Sequence, residues 1–125
     1  MHPFQVTEET KAMVLDNICF LLNQFIHCSA YHNIIFCWVM HEQKIIDEIL
    51  SRVKADGCAI KTISLLCNQT ELVKRLQKDV DKGIRNEDVI QRSISRLERY
   101  PKLNTTKIDV SQMTPEQVAE CIKQS

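Results

Sequence analysis

Apolar residues recur every three or four positions over residues 7–28, a spacing typical of an amphipathic helix. Thr7 is placed to act as the N-cap of this helix. The same spacing predicts a second helix over residues 45–53, ended by the Asp56-Gly57 pair. The first half of the chain is therefore predicted to contain two amphipathic helices.

Three runs of apolar and β-branched residues predict strands. They are residues 34–40 (IIFCWVM), residues 59–67 (AIKTISLLC) and residues 107–110 (KIDV). The first run shows no alternation of apolar and polar positions, which is typical of a strand covered on both faces in a parallel sheet.

Residues 69–99 contain two charged amphipathic segments that meet at Gly83, which predicts a helical hairpin. Gly83 is placed as the C′ residue of the first helix, with Ile84 as its hydrophobic partner, and Asn86 as the N-cap of the second. In the second helix an arginine stripe lies opposite an apolar stripe, and Pro101 is expected to end the helix. The arginines of the stripe are Arg92, Arg96 and Arg99.

The sequence Thr114-Pro115-Glu116-Gln117 predicts the start of a last helix, with a Thr N-cap, Pro at N1 and Gln at N3. Helices and strands alternate along the whole chain, which predicts an α/β fold with a parallel sheet. The length of 125 residues suits one domain over residues 1–125.

Charge and cysteine content narrow the classes of function. Sixteen basic and sixteen acidic residues cancel, so the chain as a whole has no bulk attraction for nucleic acid or anionic membranes. The first helix is interrupted by polar residues and is too polar to span a membrane. The chain has six cysteines, none in C-x-x-C spacing, and no secretory signal is recognised. These features predict a reduced cytoplasmic protein with no metal site.

Four segments carry a resemblance to a known family. They are residues 34–41 (IIFCWVMH), 63–75 (ISLLCNQTELVKR), 78–93 (KDVDKGIRNEDVIQRS) and 100–110 (YPKLNTTKIDV). In sequence and element order they resemble the C-terminal part of small P-loop kinases, the shikimate-kinase-like and nucleotide-kinase-like proteins of the AAA-type nucleoside triphosphatase group. The resemblance implies an α/β fold with an incomplete parallel sheet and a helical-hairpin lid over about residues 69–99.

The resemblance also implies a set of site residues. Arginines of the hairpin would clamp phosphates, the loop after the last strand would border the adenine, and the end of the first strand would meet the acceptor. The phosphate residues would be Arg75, Arg85 and Arg92; the adenine-side residues Asp109, Ser111 and Thr114; the acceptor-side residues Trp38 and His41. The implied cofactors are ATP and Mg²⁺, and the implied ligand is a nucleotide or a phosphorylated small molecule. Guanidinium suits the phosphate role because its planar fork makes bidentate contacts.

The chain departs from this family at its most important motif. It has no G-x-x-x-x-G-K-[ST] sequence, and neither of its two glycines, Gly57 and Gly83, precedes Lys-Ser or Lys-Thr. The family's first βαβ unit is missing, so we expect a truncated kinase-like chain, a fragment or a degraded copy, that does not transfer phosphate alone. In the family that unit supplies the centre of the sheet. Either the two flanking strands close up directly or open sheet edges remain, and open edges predict a homodimer or aggregation unless the missing unit comes from elsewhere.

Two other functions fit the residues. The first is a non-enzymatic interaction protein that binds itself or a partner through a sheet edge or the hairpin. The second is a helix-turn-helix nucleic-acid binder, but residues 69–99 hold eight basic and six acidic residues, and a charge of +2 is weak for that role. Without the resemblance, the arginine stripe is a solvated helix face, Trp38 a core residue, His41 a polar strand end and Asp109 a loop cap.

Overall fold

The computed structural model describes residues 5–125, which form five α-helices, one 3-10 helix and two strands. The helices are α1 (Glu8–Ile26), α2 (Gln43–Arg52), α3 (Gln69–Asp81), α4 (Asp88–Arg96) and α5 (Pro115–Gln124), and the strands are β1 (Ile63–Leu66) and β2 (Thr106–Asp109). The 3-10 helix covers Leu97–Lys102. The chain divides into two compact units, one ending at Ile60 and one running from Lys61 to Ser125. One domain over residues 1–125 stays a prediction.

The first unit is built from α1 packed against α2. Cys19 of α1 and Ile46 and Ile49 of α2 are its buried apolar residues. Asn23 fixes the exit of α2, because its side-chain amide donates to the Arg52 carbonyl (3.1 Å) and its side-chain oxygen accepts from the Lys54 N–H (2.7 Å). Buried apolar side chains and the two hydrogen bonds of Asn23 thus both contribute to the packing of α1 and α2.

The N-terminus of α1 confirms the predicted cap. The Thr7 hydroxyl accepts from the Thr10 N–H (3.1 Å), and the Thr10 hydroxyl accepts from the Thr7 N–H (2.8 Å). This reciprocal pair is a capping box, which satisfies two N–H groups that the helix leaves without carbonyl partners.

The predicted strand at residues 34–40 is wrong. These residues lie in the first unit without regular secondary structure, and several of their apolar side chains are exposed. A strand forms only when another strand supplies hydrogen-bond partners, and none pairs with this segment in the described chain. Trp38 is 43% exposed and is therefore not a core residue.

The second unit contains a two-stranded parallel sheet. β1 pairs with β2 in register from Ile63 opposite Thr106 to Leu66 opposite Asp109. The hairpin α3–α4 and the 3-10 helix connect the two strands. The predicted strands at residues 59–67 and 107–110 are confirmed in type and pairing direction, although β1 is shorter and β2 begins one residue earlier. The coarse α/β class is confirmed.

The turn after α3 confirms the predicted role of Gly83. Its φ of 73° is positive, its N–H donates to the Val80 carbonyl (3.0 Å), and the Ile84 N–H donates to the Asp79 carbonyl (2.9 Å). This pattern is a Schellman motif, in which glycine avoids the steric cost of the left-handed conformation. Ile84 itself is 67% exposed.

Two boundary predictions in the hairpin are wrong. Asn86 does not cap α4: the N-cap is Glu87, which makes no side-chain cap hydrogen bond. Pro101 does not end α4, which stops at Arg96; instead it lies inside the 3-10 helix that follows. Side-chain caps are only one way to satisfy a helix start, and here the turn hydrogen bond from the Val89 N–H to the Asn86 carbonyl (3.1 Å) contributes.

The start of α5 confirms the predicted capping box. The Thr114 hydroxyl accepts from the Gln117 N–H (3.2 Å), the Gln117 side chain accepts from the Thr114 N–H (2.9 Å), and Pro115 occupies the first turn. No helix in the described part of the chain combines the length and the apolar character needed to cross a membrane.

Candidate functional site at the carboxyl end of the parallel strands

The two strands of the second unit end side by side, with Leu66 opposite Asp109. β1 continues through Asn68, the N-cap of α3, and β2 continues through residues 110–114 into α5. Ligands of open α/β sheets bind at the carboxyl ends of the strands, because the following loops and helix N-termini converge there. This end of the sheet is therefore the candidate site.

The loop at residues 110–114, which we call the β2–α5 loop, is fixed by side-chain hydrogen bonds at its start. The Asp109 carboxylate accepts from the Ser111 N–H (2.9 Å). The buried Ser111 hydroxyl accepts from the Asn68 N–H (2.8 Å). Hydrogen bonds from the Ser111 hydroxyl and N–H lower the pKa of Asp109, against a smaller opposing effect of desolvation. Asp109 is therefore a carboxylate at neutral pH.

Arg75 ties α3 to the same loop. Its Nη2 donates to the carbonyls of Val110 (2.9 Å), Ser111 (3.1 Å) and, more weakly, Met113 (3.4 Å). Its Nε lies 3.3 Å from a carboxylate oxygen of Glu71, one turn earlier on α3. The guanidinium thus holds the β2–α5 loop by hydrogen bonds to its carbonyls. Its contact with phosphate stays a prediction.

An open pocket adjoins the loop. It is lined by Asn68, Asp109, Ser111, Gln112 and Met113, and by Gln117, Glu120, Cys121 and Gln124 of α5. The lining combines amides, a hydroxyl, a thioether, a thiol and two carboxylates, and it includes neither Lys nor Arg. Such a surface suits the hydrogen-bonding edge of a neutral heterocycle better than a phosphate, which needs positive charge.

Two of the three predicted phosphate residues, Arg85 and Arg92, do not line this pocket. Arg85 follows α3, whose thirteen residues carry the chain about 20 Å away from Asn68. Arg85 lies 3.3 Å from the Asp79 carboxylate, and Arg92 lies 3.5 Å from the Asp88 carboxylate. All four of these side chains are more than one third exposed. The structure thus brings Arg75 to the adenine-side loop but leaves Arg85 and Arg92 in ion pairs on the hairpin.

The predicted acceptor-side residues, Trp38 and His41, belong to the first unit. Trp38 is exposed, whereas His41 is mostly buried and its Nε2 lies 3.7 Å from the Glu42 carboxylate. Of the adenine-side residues, Asp109 and Ser111 line the pocket, and Thr114 caps the helix that forms its far wall.

Sequence reasoning missed the residues that complete the pocket. Asn68 lies two residues after the end of β1, so its place near a strand carboxyl end was a usable signal. The α5 residues Gln117, Cys121 and Gln124 are spaced by four and three positions, which places them on one helix face. Neither signal is specific without the pairing of β1 with β2.

The residues present do not fit a bound Mg²⁺–triphosphate in the manner of a P-loop. The sequence lacks the Gly-rich loop, the lysine and the hydroxyl that such a site requires, and the pocket lining has no cation. Within residues 5–125, no three His, Cys, Asp or Glu side chains cluster as metal ligands. We therefore derive no phosphoryl-transfer step for this chain.

Comparisons of the chain with models of protein families, with curated proteins and with solved structures give no match.

Proposed function

We propose that the chain is a kinase-like nucleotide-binding protein, related to small P-loop kinases, that does not catalyse phosphoryl transfer by itself. The observation that carries the proposal is the pocket at the carboxyl end of β1 and β2, with its fixed β2–α5 loop. A cytoplasmic location is part of the proposal and is supported by the six free cysteines.

The distribution of charge in the second unit suggests which residues would bind the base of a nucleotide and which would bind its phosphates. The cation-free pocket would hold the base through the side-chain amides of its lining. The hairpin arginines Arg85 and Arg92 would contact the phosphates. Their present ion pairs are exposed, and such pairs contribute only about 0–1 kcal/mol, so phosphate could displace the carboxylates at little cost. Arg85 would have to move toward the pocket for both contacts to form at once.

Calorimetric titration tests this division. The chain would be titrated with ATP, adenosine and inorganic triphosphate, each with Mg²⁺. We expect saturable binding of ATP, weaker binding of adenosine, and a loss of ATP affinity in Arg85→Ala. Lys74→Ala is the matched control, because it removes one positive charge from the exposed face of the same hairpin. Absence of ATP and adenosine binding would contradict the proposal.

Cysteine alkylation tests whether the base of the nucleotide binds in the pocket. Cys121 lines the pocket and is half-buried, whereas Cys58 is exposed and lies in the first unit. Adenosine should slow the alkylation of Cys121, measured by mass spectrometry, and leave the rate at Cys58 unchanged. Equal rates at Cys121 with and without saturating adenosine would place the ligand elsewhere.

A non-enzymatic interaction protein is the second candidate. The sheet of the second unit has two strands, so each strand presents one unpaired edge within the described chain, and Leu65 of β1 is 44% exposed. Unpaired edges bind other strands. A partner that binds there should protect the β1 amides from hydrogen exchange, and unchanged exchange in its presence would exclude this edge.

A further inference from the structure

Residues 34–40, which we call the apolar segment, have the composition of a strand but no strand partner. The segment consists of Ile34, Ile35, Phe36, Cys37, Trp38, Val39 and Met40. Within residues 5–125, no hydrogen bond joins the backbone of these seven residues to another residue. Buried backbone N–H and C=O groups are normally paired within the protein, whereas those of an exposed segment bond to water, so this backbone is open to pairing with a second strand.

Most of the apolar segment is exposed to solvent. Ile35 is 85% exposed, Cys37 is exposed and Val39 is 48% exposed. At the other positions Phe36 and Met40 are partly buried, whereas Ile34 and Trp38 are 38% and 43% exposed. In an extended conformation Ile35, Cys37 and Val39 share one face, and all three are open to a partner.

We propose that two copies of this chain associate by antiparallel pairing of their apolar segments about a two-fold axis at Cys37. This register matches Ile34 with Met40, Ile35 with Val39 and Phe36 with Trp38 of the second copy. It is the register that pairs all seven residues, and any shift leaves apolar positions unpaired. About six to eight backbone hydrogen bonds form between the copies.

A second copy fits this segment better than an acidic or basic partner does. Residues 31–41 contain no Asp, Glu, Lys or Arg, so self-pairing brings no like charges together. They also lack the edge charges that prevent strand association in monomeric proteins. A two-fold axis makes the interface self-complementary. Each pair of facing residues occurs twice, and Cys37 on the axis faces Cys37 of the second copy. This inference does not depend on nucleotide binding.

The first test uses the thiol on the axis. Cα atoms of directly opposed residues lie about 4.5–5.5 Å apart, within the range that a disulfide spans. Mild oxidation with copper phenanthroline should give a covalent dimer containing a Cys37–Cys37 linkage, identified by peptide mass spectrometry. Cys37→Ser should abolish the linked dimer, and Cys58→Ser, at another exposed cysteine of the same unit, should not. A disulfide-linked dimer that persists in Cys37→Ser would overturn the register.

The second test uses the pairing of residue 35 with residue 39. I35K/V39K places like charges opposite each other at two related positions, whereas I35E/V39K places opposite charges there. Both sites are exposed, so neither pair of substitutions disturbs the core of the unit. Sedimentation equilibrium should show a dimer for the wild type and a dissociation constant about tenfold higher for I35K/V39K than for I35E/V39K. A monomeric wild type, or equal constants for the two variants, would overturn the proposal.

Discussion

Arg75 is expected to stabilise the second unit by holding the β2–α5 loop, and Arg75→Ala tests this. The substitution removes two well-formed hydrogen bonds to the Val110 and Ser111 carbonyls, one weaker bond to Met113 and the ion pair with Glu71. The arginine side chain is 39% exposed, so water can replace part of what is lost. About 1 kcal/mol for each good bond and about 0.5 kcal/mol for the ion pair give a loss of about 2–3 kcal/mol.

Urea unfolding followed by far-ultraviolet circular dichroism measures this loss. With a slope of about 1 kcal/mol per molar urea, the midpoint of the second unit should fall by about 2–3 M. Arg75→Lys should show a smaller loss than Arg75→Ala, because an ammonium can still donate to one of the carbonyls, although it cannot bond them in the fork of a guanidinium. Arg92→Ala is the matched control: it removes an exposed arginine with an i,i+4 ion pair and should cost less than about 0.5 kcal/mol.

Amide hydrogen exchange measures the same effect locally, even when the variant is too unstable for its urea midpoint to be determined. Amides of residues 110–118 should exchange faster in Arg75→Ala and at the wild-type rate in Arg92→Ala. Equal unfolding midpoints for the two alanine variants, with unchanged exchange in the loop, would refute the structural role of Arg75.

Three other substitutions have defined outcomes. Gly83→Ala should cost about 1 kcal/mol by urea unfolding although no atom lies within 4 Å of the new Cβ, because the φ of 73° is unfavourable for alanine; a neutral result would contradict the Schellman turn. Thr114→Ala should cost about 1 kcal/mol and increase amide exchange at the start of α5, while Thr105→Ala, outside the cap, should leave that exchange unchanged. Because the folded pKa of Asp109 is lowered, its stabilisation is present above about pH 4 and is lost as the pH falls through the folded pKa. The stability difference between wild type and Asp109→Asn should therefore shrink on acidification, and Ser111→Ala should raise the pKa of Asp109 in an NMR titration; an unchanged pKa would exclude the Ser111 hydroxyl as its main cause.

The sequence predicted those elements whose signals are local. The Thr7 and Thr114 caps and the Gly83 turn depend on residues within a few positions of each other, so their patterns predict their structures. The strand at residues 34–40 was wrong because strand formation depends on a distant partner that composition does not identify. β1 and β2 form because they pair with each other, although the hairpin separates them in sequence.

The same distinction applies to the candidate site. The resemblance assigned a role to the loop that follows β2, and Asp109 and Ser111 line the pocket there, although their role at adenine stays a prediction. The contribution of α5 could not be predicted, since Gln117 and Cys121 reach the pocket only after the β2–α5 loop folds back toward Asn68. Arg75 illustrates the limit of residue type as evidence, because an arginine suited to phosphate instead bonds three backbone carbonyls.

The ion pair between Arg85 and Asp79 offers a direct test of the hairpin's proposed role. If Arg85 binds phosphate, Asp79 competes with the ligand, and Asp79→Asn should strengthen ATP binding. An exposed pair contributes at most about 1 kcal/mol, so the gain should be about two- to fivefold. Asp81→Asn is the matched control, since it removes a charge from the same helix at a side chain that accepts from Gln77 instead (2.9 Å). Adenosine affinity should be equal in both variants. Equal ATP affinity in Asp79→Asn and Asp81→Asn would show that Arg85 is a solvated arginine and would leave the pocket at the strand ends as the whole of the proposed site.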